Sequence, residues 1–370
     1  MFDKFFKGKK VLVTGHTGFK GSWLSVWLMQ MGARVTGFAL PPKTSRDHFV
    51  ALGLAKRMRH IEGDLRDFKQ IQRAIAKAEP EIVFHLAAQP LVRLSYAEPK
   101  LTFDTNVGGA VNLLEAIRGC PSVRTLVFIT SDKCYRNKEW EWGYRENDEL
   151  GGPEAYSASK ACAEIVFSSY QESYFFQRAG FAGATARAGN VIGGGDWSQD
   201  RIVPDCIRAL EKGQPINVRN PVATRPWQHV LEPLSGYLLL AQKLGSRDGQ
   251  QFRGAWNFGP TKESNRSVRE LVEKILGVWG GGKAVMGHKD KGSKLHEARL
   301  LHLNCDKAHQ ELGWSQTWRF DDGVEQTALW YRDWLKKAGA WELTTGQIEA
   351  YTQAAHRLLK PLSTTFSSHR

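Results

Sequence analysis

The chain carries a tyrosine and a lysine four residues apart, Tyr156 and Lys160. On a helix this spacing puts both side chains on one face, with their Cβ atoms about 5–6 Å apart. A neighbouring ammonium favours the phenolate, so we expect the pKa of Tyr156 to fall below its usual value of about 10. Such a tyrosine can take a proton from a substrate hydroxyl while the adjacent carbon gives up a hydride. Because the pattern is common by chance, this chemistry needs support from a second element.

A glycine-rich loop at the start of the chain provides that support. Gly15, Gly18 and Gly21 form a GxxGxxG pattern directly after an apolar strand pattern and at the start of a helical one. Glycines let the backbone turn sharply and approach a diphosphate, and the helix N-terminus supplies free N–H groups. Between a strand and a helix, the pattern indicates a dinucleotide site.

The acid that usually binds the adenosine ribose is missing from its expected place. It should stand about 20 residues after the loop, but the second predicted strand ends at Leu40 and the next acid is Asp47. The residues alone therefore leave NAD and NADP open. Asp64, at the end of the third predicted strand, could hold the adenine amino group or cap the next helix.

Composition excludes several other classes of protein. The chain has 370 residues, 42% hydrophobic and 24% charged, so disorder over its whole length is excluded. No apolar run approaches the roughly 20 residues of a membrane span, and the N-terminal residues leave no room for a signal peptide. Five scattered cysteines predict a reduced, cytoplasmic chain, and the histidine spacing predicts no metal site. The net charge of +13 fits nucleic acid or diphosphate ligands, but there is no dense basic run.

The elements that must position these residues alternate between strand and helix. Strands are predicted at 11–14, 34–40, 81–88 and 125–131, together with a brief third strand that ends at 63–65. Helical stretches, one of them near 103–118, separate these strands. This order predicts an α/β fold with a Rossmann-type doubly wound parallel sheet. Beyond about residue 190 the pattern changes, which indicates a smaller C-terminal α/β substrate domain.

With these motifs in one order, the chain resembles the extended short-chain dehydrogenases/reductases that act on sugar nucleotides. The runs His85–Ala88 and Arg187–Val191 also match that family's pattern. The resemblance implies NAD in the N-terminal domain and a nucleotide sugar in the C-terminal one. It divides the chain into a NAD-binding domain over 1–189 with returning segments about 224–257, a nucleotide-sugar domain over 190–223 and 258–345, and a C-terminal extension over 346–370.

The residues after the fifth predicted strand indicate the reaction. The resemblance implies that Ser131 hydrogen-bonds the sugar 4-hydroxyl. Epimerases of the family usually have no acid beside this residue, whereas 4,6-dehydratases have Asp followed by Glu. Here Asp132 is followed by Lys133, which resembles the subgroup acting on CDP-glucose. Asp132 is the expected acid for water loss, and Lys133 is either the base or a cation that stabilises the C4 enolate.

The resemblance also implies the remaining site residues. The catalytic set is Ser131, Asp132, Lys133, Tyr156 and Lys160. The cofactor set is Gly15, His16, Thr17, Gly18, Phe19, Lys20, Gly21, Asp64, Leu65, Leu86, Ala87, Ala88, Asn106, Thr130, Tyr156 and Lys160. The substrate set is Gln89, Arg93, Asn190, Arg201, Val203, Val218, Arg219, Arg225, Asn257 and Arg299, with Arg225 expected on the diphosphate because an arginine fork suits phosphate oxygens. Arg299 substitutes for an arginine that many relatives place one position earlier, where this chain has Ala298.

Other functions remain open at this point. A 4-epimerase would leave Asp132 and Lys133 without a role, and a 4,6-dehydratase of another nucleotide sugar would use the same residues. A nucleic-acid-binding or redox-sensing protein would explain the basic charge but not the set of Tyr156, Lys160 and Ser131. The prediction is a cytoplasmic hydro-lyase that holds NAD, acts on CDP-glucose, binds neither nucleic acid nor membrane, and forms a homodimer or homotetramer.

Overall fold

A computed structural model describes residues 2–287 and 301–359 of the chain. Its strands are β1 (Lys10–Thr14), β2 (Arg34–Ala39), β3 (Arg59–Glu62), β4 (Ile82–His85), β5 (Thr125–Ile129), β6 (Ala182–Ala188), β7 (Val191–Ile192), β8 (Ile216–Val218), β9 (Thr224–Pro226), β10 (Gln228–His229), β11 (Gly254–Phe258), β12 (Asn265–Ser267) and β13 (Ala284–Met286).

Helices surround these strands. They are α1 (Phe19–Gln30), α2 (His48–Ala51), α3 (Phe68–Ala78), α4 (Val92–Ala97), α5 (Pro99–Phe103), α6 (Gly109–Arg118), α7 (Ala155–Tyr170), α8 (Ile202–Glu211), α9 (Leu231–Leu244), α10 (Val268–Trp279), α11 (Phe320–Leu335) and α12 (Ala340–Leu359). None of the helices in the described part of the chain is long and apolar enough to cross a membrane.

Seven strands form one parallel sheet in the order β11-β6-β5-β4-β1-β2-β3. The order reverses between β1 and β4, which pair with each other in parallel. In such sheets ligands bind in the crevice beyond the carboxyl ends of the strands, at this point of reversal. The predicted Rossmann-type doubly wound sheet is therefore confirmed, with its crevice after Thr14, His85 and Ile129.

Alternating side chains of the strands build a core on each face. On one face, Val13 and Ile129 pack with residues of α1 and α9. On the other, Leu12 and Phe128 pack with residues of α3, α6 and α7. Successive side chains of a strand point to opposite faces, so these apolar strands bury both faces, as parallel sheets require. Helices α1, α9 and α7 are thereby fixed around the crevice.

Several predicted boundaries shift. The strand predicted at 81–88 is shorter and runs from Ile82 to His85. The helix predicted near 103–118 begins earlier, at Pro99, and joins α6 through a π-helical turn, Asp104–Gly108.

The second half adds small two-stranded sheets, β7–β10, β9–β12 and β8–β13. Strand β11 returns to the main sheet and pairs with β6. The boundary predicted after residue 345 lies inside α12, which begins at Ala340, so the C-terminal segment has to be counted from there. Tyr351 of this helix packs edge-on against Trp27 of α1, with ring centroids 5.6 Å apart. The division into two binding domains stays a prediction.

Candidate active site

A short 3₁₀ turn after β5 carries three of the predicted catalytic residues. Ser131 caps this turn, Asp132–Cys134, by accepting a hydrogen bond from the Lys133 backbone N–H. The Ser131 hydroxyl donates to Asp132 Oδ1 over 3.0 Å. A Cβ atom at Gly189 would lie 2.8 Å from Asp132 Oδ2, so the carboxyl group packs closely against the end of β6. The turn is thus held between two neighbouring strand ends.

Helix α7 presents Tyr156 and Lys160 to the same crevice, and both residues are buried. The helix is capped by Glu154, whose carboxylate accepts from the backbone N–H groups of Tyr156 and Ser157 at 2.6 and 3.0 Å. The Ser95 hydroxyl of α4 also donates to Glu154. An acid at a helix N-terminus satisfies N–H groups and interacts favourably with the dipole. Glu154 therefore fixes the start of the helix, one residue before Tyr156, a role that the sequence analysis missed.

Burial governs the protonation of this pair. It raises the pKa of Tyr156 to about 12, although the Ser131 hydroxyl lowers it, and Asp132 raises it further. It lowers the pKa of Lys160 to about 8. The prediction that Lys160 brings the pKa of Tyr156 below 10 is therefore wrong for this structure, because desolvation of the buried phenolate outweighs the attraction of nearby cations.

A buried ion pair ties the catalytic turn to α7. The Arg187 guanidinium donates to Glu164 from Nε and from its terminal nitrogen at 2.9 and 2.8 Å, and both side chains are 4% exposed. The hydroxyls of Thr130 and Thr185 donate to the same carboxylate. Glu164 follows Lys160 by four residues and so lies on the same helix face. That spacing was the available sequence signal for this missed residue.

The glycine loop forms a cradle that fits a dinucleotide. Gly15 has φ of +75°, and a Cβ there would meet the Ala87 backbone nitrogen at 2.7 Å. A Cβ at Gly21 would collide with the Gly15 carbonyl oxygen. Gly18 is the N-cap of α1, and no side chain caps that helix end. Its free N–H groups and close backbone approach suit a diphosphate.

Side chains of the loop are used in different ways. His16 is buried and its Nε2 lies 2.7 Å from His60 Nδ1. The Thr17 hydroxyl donates to the Leu40 carbonyl over 2.9 Å. Lys20 instead faces the catalytic cluster: burial and Arg201 lower its pKa to about 8, while Asp132 opposes that shift. Phe19 lies against Gly193, where a Cβ would come within 3.1 Å of its ring.

The remaining cofactor residues line the crevice or support it. Asp64 pairs with Arg66, which holds the pKa of Asp64 below its usual range. The alternative role of Asp64 as a helix cap is wrong, because Asp67 caps α3. Leu65 is buried against Gly109. Leu86, Ala87 and Ala88 are half-buried where the chain leaves β4.

Asn106 and Gln89 hold the loop after β4. Asn106 accepts from the Gln89 backbone N–H and donates to the Gln89 carbonyl and the Ser159 hydroxyl. The Gln89 side chain bonds the backbone of Leu91 at both ends and donates to Thr102. The predicted substrate contact of Gln89 is therefore not supported, because its carboxamide is already engaged within the loop.

Three further predicted substrate residues point into the protein. Asn257 is 0% exposed; it accepts from the Tyr135 hydroxyl and donates to the carbonyls of Tyr144 and Asn304. Its amide is thus saturated in the interior and cannot reach a ligand. Val203 and Val218 lie in the hydrophobic core on one face of the sheet. Their side chains are therefore part of the core, and their predicted contact with substrate stays a prediction for the backbone of these residues.

The polar substrate candidates that face outward are mostly arginines. Arg201 pairs with Asp196 at 2.7 Å and its charge lowers the pKa of Tyr156. Arg93 pairs with Asp200, also at 2.7 Å. Arg219 and Asn190 are exposed and Arg225 is half-buried. The predicted contact Arg299 lies outside the described residues.

Within the described ranges, no three His, Cys, Asp or Glu side chains are placed to hold a metal ion. The arrangement instead brings a proton acceptor, a carboxyl group and several cations to one crevice above a dinucleotide cradle. That set can move protons on a sugar hydroxyl and on its neighbouring carbons.

Comparison with known proteins places this geometry in a family. The family model described as GDP-mannose 4,6 dehydratase matches residues 12–327. The chain is 46% identical to CDP-glucose 4,6-dehydratase of Salmonella typhimurium over 362 residues, which covers 96% of this chain and 100% of that protein.

Solved structures agree on the fold. The UDP-glucose 4-epimerase of Thermus thermophilus in complex with NAD is 25% identical with a TM-score of 0.73, over 87% of this chain and 98% of that one. The dTDP-glucose 4,6-dehydratase DesIV of Streptomyces venezuelae, with NAD and TYD bound, is 24% identical with a TM-score of 0.71, over 87% and 97%. Because the family model spans most of the chain and the Salmonella relative nearly all of it, the chain belongs to the GDP-mannose 4,6-dehydratase family of extended short-chain dehydrogenases/reductases.

Proposed function

We propose that this protein is a CDP-glucose 4,6-dehydratase, a hydro-lyase that converts CDP-D-glucose into CDP-4-keto-6-deoxy-D-glucose and water. The observation that carries the proposal is the turn Ser131-Asp132-Lys133 beside Tyr156 and Lys160. It occurs in a chain 46% identical over nearly its full length to the Salmonella enzyme of that activity.

The cofactor is NAD. The cradle at Gly15 and Gly21, the uncapped N-terminus of α1 and the buried Lys160 would hold it. When bound, it would supply the acceptor for the hydride from C4 of the sugar and the donor of the hydride to C6.

Tyr156 accepts the proton of the sugar 4-hydroxyl, and Ser131 hydrogen-bonds that hydroxyl. The pKa of Tyr156 of about 12 means that the cations of the crevice must stabilise the phenolate as it forms. Lys160 is the cation on the same helix face, and Arg201 already acts in this direction. Both are placed to offset developing negative charge, which is worth more in a buried site than in water.

Water loss then uses the catalytic turn. The C5–H bond breaks and its proton passes to a base while the C5–C6 double bond forms. The C6–O bond breaks, and the leaving hydroxyl takes a proton from Asp132 to depart as water. Lys133 is either the base at C5 or the cation that stabilises the C4 enolate, and its half-buried position next to Asp132 supports both roles. A proton returns to C5 when the hydride is added at C6, which completes the product.

Arg225, Arg219, Arg201, Arg93 and Asn190 are the proposed contacts of the nucleotide diphosphate and its base. Arginine forks match phosphate oxygens in a bidentate way. We also propose that the enzyme acts in the cytoplasm as a homodimer or homotetramer. Its product suits the biosynthesis of deoxysugars for surface glycans such as O-antigen.

The competing activity is 4-epimerisation. It needs Tyr156 and Lys160 but no acid for a leaving hydroxyl. The packing of Asp132 against Gly189, within hydrogen-bond distance of Ser131, favours water loss.

Mass spectrometry tests the proposal directly. The purified protein is incubated with NAD and, separately, with CDP-, dTDP-, UDP- and GDP-hexoses. We expect loss of one water from CDP-glucose, and no loss for Asp132→Asn, which keeps the shape of the side chain. Loss of water from another nucleotide sugar alone would show that the substrate is that nucleotide sugar and not CDP-glucose. Formation of an epimer of unchanged mass would show that the protein is not a dehydratase.

A further inference from the structure

Tyr237 is a buried tyrosine of α9 that no motif singles out. It is 0% exposed and its ring packs edge-on against Phe258, with centroids 5.7 Å apart. No group of the described residues lies within hydrogen-bond reach of its hydroxyl. By contrast, the buried Tyr331 donates to the Asp196 carbonyl and Tyr351 to Glu232. A buried hydroxyl without a partner costs about 1–3 kcal/mol, so its presence in the interior calls for an explanation.

The surroundings of Tyr237 point to the active site. Helix α9 packs on β5 and β6, the two strands whose ends hold the catalytic turn. Tyr237 packs on Phe258, the last residue of β11, and Phe258 pairs with Ala188 of β6, directly before Gly189. Tyr237 and the carboxyl group of Asp132 therefore lie near the same end of β6.

One oxygen of that carboxyl group is open to a further donor. Asp132 Oδ1 accepts from Ser131. Asp132 Oδ2 lies over the Cα of Gly189, where any larger residue would press against it. Within the described ranges, no hydrogen-bond donor reaches Oδ2. An unpartnered buried donor and an open acceptor thus lie next to the same pair of strand ends.

We propose that Tyr237 is a positioning residue that donates a hydrogen bond to Asp132 Oδ2 as the carboxylate forms during water loss. The inference rests on the proposed dehydratase function and deepens it. When Asp132 gives its proton to the departing hydroxyl, negative charge develops on its two oxygens, and Ser131 serves only one of them. A preorganised donor aimed at developing charge lowers the barrier of that step. Catalytic hydrogen bonds are often long before substrate binds and tighten in the working complex.

The test is Tyr237→Phe, which keeps the ring and removes only the hydroxyl. We expect kcat on CDP-glucose to fall about tenfold with KM nearly unchanged, as for loss of one transition-state donor. Oxidation at C4 does not involve Asp132, so the absorbance of enzyme-bound reduced nicotinamide should rise during a single turnover. Because the hydroxyl has no partner in the fold, the melting temperature should stay equal or increase slightly.

Tyr351→Phe is the matched control, since it also removes a buried hydroxyl, but one that is bonded to Glu232 and Ser235. It should lower the melting temperature and leave turnover unchanged. Wild-type turnover without accumulation of reduced nicotinamide in Tyr237→Phe would overturn the inference, as would a slower enzyme whose melting temperature falls as much as that of the control. If the wild-type protein itself removes no water from CDP-glucose, the proposed function is wrong, and this inference, which depends on it, is wrong as well.

Discussion

The two sides of the crevice use their polar side chains differently. On the cofactor side, the glycine cradle, Tyr156 and Lys160 come together as the motifs predict, and the cradle works through its backbone. On the substrate side, the side-chain amides of Asn257 and Gln89 are engaged in hydrogen bonds within the chain. The arginines of that side remain half-buried or exposed. A motif that acts through backbone shape therefore predicts a binding site in a new chain more reliably than a motif that acts through a single polar side chain.

The largest effect should come from the cofactor side. Tyr156→Phe removes the acceptor of the 4-hydroxyl proton, so we expect kcat to fall by about 10³-fold, the middle of the range for general acid–base groups. Steady-state rates with CDP-glucose measure it. Tyr170→Phe is the control on the same helix, because its hydroxyl only reaches Glu115 at the surface. Less than a tenfold loss of kcat would show that another group takes the proton. The motif on the cofactor side would then be no more reliable than the substrate-side predictions.

Particular residues show how far the sequence reaches. Gly15 could be predicted because a loop that turns with positive φ and passes close to Ala87 needs glycine, which is a local requirement. The pKa of Tyr156 could not, because desolvation depends on everything packed around the phenol. Glu164 was missed because its partners Arg187, Thr130 and Thr185 come from other segments. Non-local burial is the information that a motif does not contain.

Two variants on the substrate side should have smaller effects, one on stability and the other on KM. Asn257→Ala removes the acceptor of the buried Tyr135 hydroxyl and one donor to each of the carbonyls of Tyr144 and Asn304. We therefore expect the free energy of unfolding to drop by about 1–3 kcal/mol. Its KM for CDP-glucose should not change. Arg225→Ala should raise KM about tenfold, equivalent to about 1.4 kcal/mol of binding.

Urea unfolding and initial rates on both variants decide this pair. A raised KM in Asn257→Ala at unchanged stability would return this residue to the substrate site. An unchanged KM in Arg225→Ala would show that this arginine does not bind the diphosphate. The motif would then have failed for an exposed substrate residue as well as for the buried ones.

The smallest effect should come from the C-terminal helix, which the sequence assigned to neither side. Glu232 of α9 accepts from the backbone N–H groups of Thr317 and Trp318 and from the Tyr351 hydroxyl of α12. Burial raises its pKa from 4.5 to about 8, although these donors favour the carboxylate. The folded chain therefore holds this proton more tightly than the unfolded chain, and its contribution to stability, full below pH 4.5, is lost as the pH rises toward 8.

Glu232→Gln removes this titration and keeps one acceptor oxygen; the second position becomes an amide donor, whose cost does not depend on pH. We therefore expect the stability of the variant relative to wild type to increase between pH 6 and pH 7, by about 1 kcal/mol in the free energy of unfolding. Urea unfolding at the two pH values measures it, with the exposed Glu342→Gln of α12 as the control that should show no such change. Equal differences at both pH values would mean that Glu232 is ionised throughout. The three donors would then outweigh burial, and α12 would be held by a buried carboxylate rather than by a neutral acid.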